Sequence, residues 1–264
     1  MNLLHFLKNL IKIEDINLPA LEIYHKFREN AFGSDNSFIA DSPKVVNELL
    51  MTSLEIKSIL ATQEYYEEFW ELIASKEIET LYVAEKKVLE NIVGHALHHN
   101  CMMHGLRPLS TPLDAMDDAI IMLDAITSNE NIGSIARSAA ALGVNSYITA
   151  RQSPHPYSRR ALRVSMGHVS KLKTHQYGNI FETIQELKNL GYTIIAAEVI
   201  PESIFLAQFD IPQKWVLLMG IEGKGLSPEI IATCDVCVLI EMAEGIRSLN
   251  VGVAASVLMY KFLH

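Results

Sequence analysis

The chain has 264 residues, is 49% hydrophobic and carries a net charge of −9, enough apolar content for a sizeable core and two domains. Three cysteines exclude a disulfide framework and suit a reducing compartment, and no apolar run is long enough to span a bilayer. Taken as a global number, the negative charge argues against a nucleic-acid partner.

The stretch 2–10 is apolar but interrupted by polar residues within one turn. It reads as an amphipathic helix in an N-terminal extension over 1–37. It lacks the long apolar core and small-residue cleavage site of a signal peptide, so a soluble cytoplasmic protein is expected.

From 38 to 106 short strands alternate with helices, as in a small α/β domain. Strands are expected at Phe38–Asp41, Glu55–Ala61 and Thr80–Ala84, and helices at Pro43–Met51, Glu64–Ser75 and Glu85–His95. Tyr66, Phe69, Trp70 and Ile73 recur at helical spacing and are expected in the core. His95, His98, His99, Cys101 and His104 have enough ligand groups at helical spacing to bind a metal, but a histidine-rich helix end is the expected outcome and no metal is anticipated. A turn-rich linker covers 107–116, with Pro108 and Pro112 inside it.

Beyond the linker, 117–264 reads as a second α/β domain. Strands are expected at Ala119–Ala125, Ser146–Ala150, Lys171–His175, Thr193–Val199, Trp215–Gly220 and Val236–Ile240. Helices are expected at Ile132–Leu142, Arg159–Met166, Ile180–Leu190, Pro228–Thr233 and Leu249–Leu263. Such alternation implies a mostly parallel sheet with helices on both faces. Cys234 and Cys237 have the spacing of a redox dithiol, but they lead into a strand and no helix N-terminus follows to lower a thiol pKa, so buried thiols are expected.

Charge is unevenly spread. Residues 1–130 carry 10 Lys and Arg against 21 Asp and Glu, residues 182–264 carry 5 against 10, and residues 131–181 carry 7 against none. This basic island is Arg137, Arg151, Arg159, Arg160, Arg163, Lys171 and Lys173, interspersed with histidines, as expected for phosphate contacts. A solvated face is the competing interpretation.

Three segments carry the chemistry. Asn129-Glu130-Asn131-Ile132-Gly133-Ser134-Ile135-Ala136-Arg137 opens a helix. Leu217-Leu218-Met219-Gly220-Ile221-Glu222-Gly223-Lys224-Gly225-Leu226-Ser227 runs from an apolar strand into a glycine-rich loop. Ile240-Glu241-Met242 and Arg247-Ser248-Leu249-Asn250-Val251 run from a strand into a turn that opens the final helix. Loops at the carboxyl ends of parallel strands are where α/β proteins bind small ligands. The glycine spacing fits neither a Walker loop nor the dinucleotide fingerprint: two residues separate Gly220 from Gly223, and Pro228 stands where a third glycine would be.

Together the three segments, in order and spacing, resemble the SpoU (TrmH-type) RNA 2′-O-methyltransferases of the knotted SPOUT superfamily, over roughly Ile120 to His264. The resemblance implies a C-terminal trefoil knot with the segment around Ile240–Val251 tucked through a loop, S-adenosylmethionine as cofactor, rRNA or tRNA as substrate, and a homodimer. It implies cofactor contacts, largely through backbone, at Leu218, Gly220, Ile240, Met242, Ser248 and Leu249. It implies catalytic roles for Asn131, Arg137, Glu222, Ser248 and Asn250, with Arg137 near the 2′-hydroxyl. A guanidinium is essentially never deprotonated, so binding the neighbouring phosphate and polarising the hydroxyl is the physically safer role. Asn131 serves equally as a helix N-cap, Ser248 as the cap of the last helix, and Glu222 as a turn or dipole stabiliser. The stretch Tyr157–Gly167 also resembles the family, and Arg159 and Arg160 are expected on RNA phosphates with Arg151 nearby; Arg163 is either a contact or helix-surface charge. The domain over 38–106 matches, by position and pattern, the small ribosomal-protein-like module that precedes the catalytic domain in this family. The rival interpretation is a non-catalytic RNA-binding protein that keeps the fold.

Overall fold

A computed structural model describes residues 3–26, 35–221, 223–246 and 248–264. In chain order the helices are α1 (Leu3–Leu7), α2 (Glu22–His25), α3 (Pro43–Leu50), α4 (Gln63–Ala74), α5 (Lys86–Val93), α6 (Asn129–Leu142), α7 (Arg159–Val164), α8 (Ile180–Asn189), α9 (Pro228–Ile231) and α10 (Val251–Leu263). The strands are β1 (Ile11–Lys12), β2 (Ser37–Asp41), β3 (Ile56–Ala61), β4 (Ile78–Val83), β5 (Cys101–Leu106), β6 (Ala119–Leu123), β7 (Ser146–Ala150), β8 (Lys173–Tyr177), β9 (Thr193–Ala197), β10 (Ile204–Phe205), β11 (Trp215–Met219) and β12 (Val236–Leu239). Among the described residues no helix is long and apolar enough to cross a membrane.

The chain divides into two compact units. One comprises Met1–Pro108 and Tyr157–Ser170, and the other comprises Leu109–Pro156 and Lys171–His264.

The first unit holds a sheet of order β1-β4-β3-β5-β2. Strand β5 runs antiparallel to both β2 and β3, while β4 is parallel to β1 and β3. A core of Leu21, Tyr24, Leu60, Tyr82, Leu89 and Ile92 fills one side. On α4 the buried aromatics are Tyr65 and Tyr66, with Ile73 beyond. Phe69 and Trp70, expected in the core, are only half-buried, because the helix kinks at Phe69 (φ −117°, ψ 17°). The Tyr66 hydroxyl lies 2.9 Å from the carbonyls of both Ile59 and Tyr82, which satisfies its buried polar end.

Strand β5 corrects the expected histidine-rich helix end. Helix α5 stops at Val93 because Gly94 takes the left-handed C-cap conformation (φ 74°), and Cys101 and His104 then lie on a strand. His104 Nε2 is 2.8 Å from Ser37 Oγ on β2. Among the described residues no three His, Cys, Asp or Glu side chains gather as a metal set.

The segment Tyr157–Ser170, expected inside the second domain, belongs to this first unit. Interactions with β2 help to fasten it. The Tyr157 ring meets Phe38 edge-on at 5.5 Å. Arg159 Nη1 donates to Asp41 Oδ2 at 3.1 Å, and Arg163 Nη1 lies 3.7 Å from the same oxygen. Asp41 is on β2 and its side chain is only 3% exposed, so a cation has to accompany it.

In the second unit all seven strands are parallel, in the order β10-β12-β9-β11-β6-β7-β8. Alternation along each strand sends side chains to two covered faces. Ile120, Ile148, Ile194, Val216 and Leu218 join Ile184 and Leu187 of α8 in one core. On the opposite face Trp215 meets Phe262 of α10 edge-on at 5.1 Å, and the Tyr147 hydroxyl donates to the Ile132 carbonyl of α6 at 2.8 Å. Helices α6 and α10 pack through small polar residues, with Ser256 Oγ donating to Ser138 Oγ at 2.8 Å. A Cβ on Gly252 would come within 2.7 Å of Ser134 Oγ, so glycine permits this close approach.

Candidate cofactor cleft

The carboxyl ends of β9, β11 and β12, neighbours in the sheet, converge on a cleft of about 320 Å³. After β11 the chain turns sharply. Gly225 N–H donates to the Ile221 carbonyl at 2.7 Å, and Lys224 N–H donates to the same oxygen at 3.2 Å. Gly223 (φ 80°) and Gly225 (φ 67°) take left-handed conformations, which glycine adopts without steric cost. Gly220 is glycine for a different reason, since a Cβ there would collide with the Gly225 backbone and stand 2.5 Å from the Leu226 nitrogen. The loop then enters α9, whose N-cap Ser227 accepts from Ile230 N–H at 3.3 Å.

The second wall comes from the turn after β12. Of the residues expected at the cofactor, Gly220, Ile240, Met242, Ser248 and Leu249 line the cleft, with Val251 and Leu258 of α10 supplying apolar surface. Leu218 does not. It is fully buried in the core on the α8 side of the sheet, because it lies an odd number of positions from Met219, which lines the cleft.

Beside the cleft Asn250 Nδ2 donates to Asn131 Oδ1 at 3.1 Å, joining the first and third motifs across 119 positions of sequence. Asn250 Oδ1 meanwhile accepts from Gly252 N–H at 2.9 Å and from Val253 N–H at 3.3 Å. Asn250, and not Ser248, is therefore the N-cap of α10. Asn131 is likewise not a cap. Helix α6 begins at Asn129, capped by Ser128, whose Oγ accepts from Asn131 N–H at 3.2 Å. The Asn131 side chain is thus left for the bridge to Asn250, and neither Asn131 nor Ser248 is a helix cap.

Arg137 is exposed on α6 and is not among the residues lining the cleft. Glu222, expected as the site carboxylate, and Arg247 lie outside the described residues. A carboxylate that sequence reasoning missed is Glu198, immediately after β9. It lines the cleft, its Oε1 accepts from Leu226 N–H at 2.5 Å, and burial raises its carboxyl pKa. The signal that could have found it is its place, an acidic residue closing an apolar strand in a parallel sheet.

The basic island is partly neutralised by acids distant in sequence. Arg159 and Arg163 share Asp41, and Lys173 Nζ donates to Asp117 Oδ1 at 2.5 Å. Arg159, expected on an RNA phosphate, has its guanidinium on a buried carboxylate of the first unit. Arg151 and Arg160 are exposed, and Arg151 borders a second groove with His175 and Asn179 at the end of β8. Cys234 and Cys237 are not activated thiols. Burial pushes Cys234 up to about 12 and raises Cys237 as well.

The model of the SpoU rRNA methylase family matches residues 118–260. An uncharacterized tRNA/rRNA methyltransferase of Mycobacterium bovis is 30% identical over 189 residues, covering 68% of this chain and 65% of that protein. The chain thus spans less than two thirds of the length of that relative. The 23S rRNA (guanosine-2′-O-)-methyltransferase RlmB of Acinetobacter baylyi is 28% identical over 188 residues, 67% of this chain and 75% of that one. Among solved structures, the AdoMet-bound rRNA methyltransferase from Sinorhizobium meliloti aligns with a TM-score of 0.83 at 21% identity, covering 96% of this chain and 97% of that chain. At that identity the likeness establishes the fold.

Proposed function

The chain belongs to the SpoU rRNA methylase family, and we propose that it transfers a methyl group from S-adenosylmethionine to a ribose 2′-hydroxyl of ribosomal or transfer RNA. The observation that carries this is the convergence of Gly220, Gly223 and Gly225 with Ile240, Met242, Ser248 and Leu249 on one cleft, with the Asn131–Asn250 bridge beside it. Similarity to the guanosine 2′-O-methyltransferase supports the ribose hydroxyl as acceptor.

The cleft suits the cofactor by its chemistry. Apolar Leu239, Ile240 and Val251 offer a surface for an adenine, Gly220 admits close backbone approach, and Glu198 supplies negative charge. When bound, S-adenosylmethionine supplies an electrophilic methyl group on a sulfonium. The protein's own task is alignment, because methyl transfer needs donor, methyl and oxygen in line. Gly220, Ile240, Met242, Ser248 and Leu249 would hold the cofactor; Asn131 and Asn250 fix the first motif against the third. Arg137 would bind the phosphate next to the target ribose and polarise the hydroxyl, leaving proton acceptance to another group. Glu222 is proposed to orient Arg137 or Asn131, and Arg151 and Arg160 to contact phosphates.

The wider assembly follows the family. The segment around 240–251 passes through a loop as a trefoil knot, supported by a strand order in which β12 lies outside β9 while α10 returns to α6. The first unit selects the RNA. The protein is a cytoplasmic homodimer, supported by the exposed Val253, Val257 and Tyr260 on α10. Incubation with radiolabelled S-adenosylmethionine and total RNA, followed by mapping of 2′-O-methyl groups, tests the activity. Cofactor and RNA binding without label transfer to any RNA would instead establish a non-catalytic RNA-binding protein.

A further inference from the structure

Glu198 stands at the end of β9 with its backbone N–H donated to the Val238 carbonyl of β12 at 3.1 Å. Its carboxylate reaches across to the glycine loop after β11, so one residue touches all three strand ends that form the cleft. The loop is shaped around it. A Cβ on Gly225 would collide with both carboxylate oxygens, and the absence of that carbon is what leaves room for them. Leu226 N–H supplies one hydrogen bond at 2.5 Å, yet among the described residues no cation pairs with the carboxylate. The other ionisable groups near it are Cys237 on β12, whose thiol is raised by both Glu198 and Glu202, and Lys224, which lines the same cleft and is exposed on the loop. A half-buried carboxylate with no counter-ion among the described residues is costly. Its retention in a cleft that the glycine loop is built to accommodate points to a cationic ligand.

Resting on the proposed methyl transfer, we infer that Glu198 is a specificity-determining residue of the cleft, a counter-charge that favours the cationic sulfonium cofactor over the neutral thioether left after transfer. S-Adenosylmethionine and S-adenosylhomocysteine share the adenosine, the amino group and the carboxylate, and they differ by the methyl group and one positive charge. A carboxylate in a partly desolvated cleft discriminates between them through that charge, and turnover then weakens the protein's hold on its own product.

The test is calorimetry with both ligands on the full-length protein and on Glu198→Gln, which keeps an oxygen acceptor for Leu226 N–H and removes only the charge. The expected result is a loss of S-adenosylmethionine affinity with little change for S-adenosylhomocysteine, so that their affinity ratio shifts by about tenfold, the order of one screened charge pair. Glu198→Asp, which restores the charge, should recover most of the ratio. Equal losses for both ligands, or an unchanged ratio, would overturn the inference and leave Glu198 as a loop support. Failure of the wild-type protein to bind either ligand would instead overturn the proposed function, so the two failures are separable.

Discussion

Asn250 donates a hydrogen bond to Asn131 at 3.1 Å while its own carbonyl oxygen caps α10. One amide thus performs two jobs, starting the final helix and tethering it to the first helix of the second unit. Asn250→Ala should cost about 1 to 2 kcal/mol, the usual size of a lost cap, read as a shift in the urea midpoint. Asn250→Asp keeps the cap but loses the donor to Asn131, so it should recover most of the stability and little of the methyl transfer.

Gly220 and Gly223 lie three positions apart and should respond in opposite ways. An alanine at 220 meets the Gly225 and Leu226 backbone and forces the loop to shift, a cost of about 2 to 3 kcal/mol. Cofactor affinity should fall by about a hundredfold. An alanine at 223 meets open space and suffers only its positive φ, about 1 to 2 kcal/mol. Isothermal titration of both variants checks the contrast, and equal affinities would show that the loop repacks freely.

Much of this architecture is legible in sequence. The six main strands and the helices of the second unit fall within a few residues of their expected places because period and punctuation agree there: Gly143 ends α6 in a left-handed cap, and Asn179 caps α8. Strand β5 is hidden because its Cys-Met-Met-His-Gly-Leu run lies between β3 and β2, covered on both faces, and has no alternation to display. The start of α6 is three residues earlier than expected because two good capping residues, Ser128 and Asn131, compete, and local pattern does not rank them. The allegiance of α7 is invisible for a deeper reason. Which core a short helix joins depends on a partner 118 positions away, and only the fold brings Asp41 to Arg159.

That pairing separates two arginines that sequence alone treats alike. Arg159→Ala leaves a carboxylate that is 3% exposed to the more distant Arg163, so it should destabilise the protein by about 1 to 3 kcal/mol, and Asp41→Asn in the same chain should restore part of the loss. Arg151→Ala should leave stability unchanged and, if it removes a phosphate contact, reduce the logarithmic salt slope of RNA binding by about 0.7 to 0.9. Filter binding across a salt series, alongside thermal melts, distinguishes the two effects.

Arg137→Ala should leave the fold and cofactor affinity nearly intact, since the side chain is exposed and does not line the cleft. Methyl transfer should fall by about two orders of magnitude or more. Lysine should rescue little, because a point charge does not reproduce the planar fork. Near-normal turnover in the alanine variant at saturating RNA would remove Arg137 from the mechanism.

The outer face of α10 carries Val253, Val257 and Tyr260, exposed by 51%, 39% and 59%. Val257→Glu combined with Tyr260→Glu should convert the proposed dimer to a monomer in sedimentation without unfolding it. A sedimentation coefficient unaffected by the pair would place the subunit contact elsewhere.

The discontinuity of the first unit bears on how the chain is made. A ribosome releases β2 with its buried Asp41 long before Arg159 emerges, and until then the nascent unit carries an uncompensated anion next to Phe38, whose edge-on partner Tyr157 is also still missing. The unit at the amino end therefore cannot finish first. It waits for a sequence that the other unit encloses, which makes maturation of the two concerted and makes a fragment ending at Pro108 a poor independent folder.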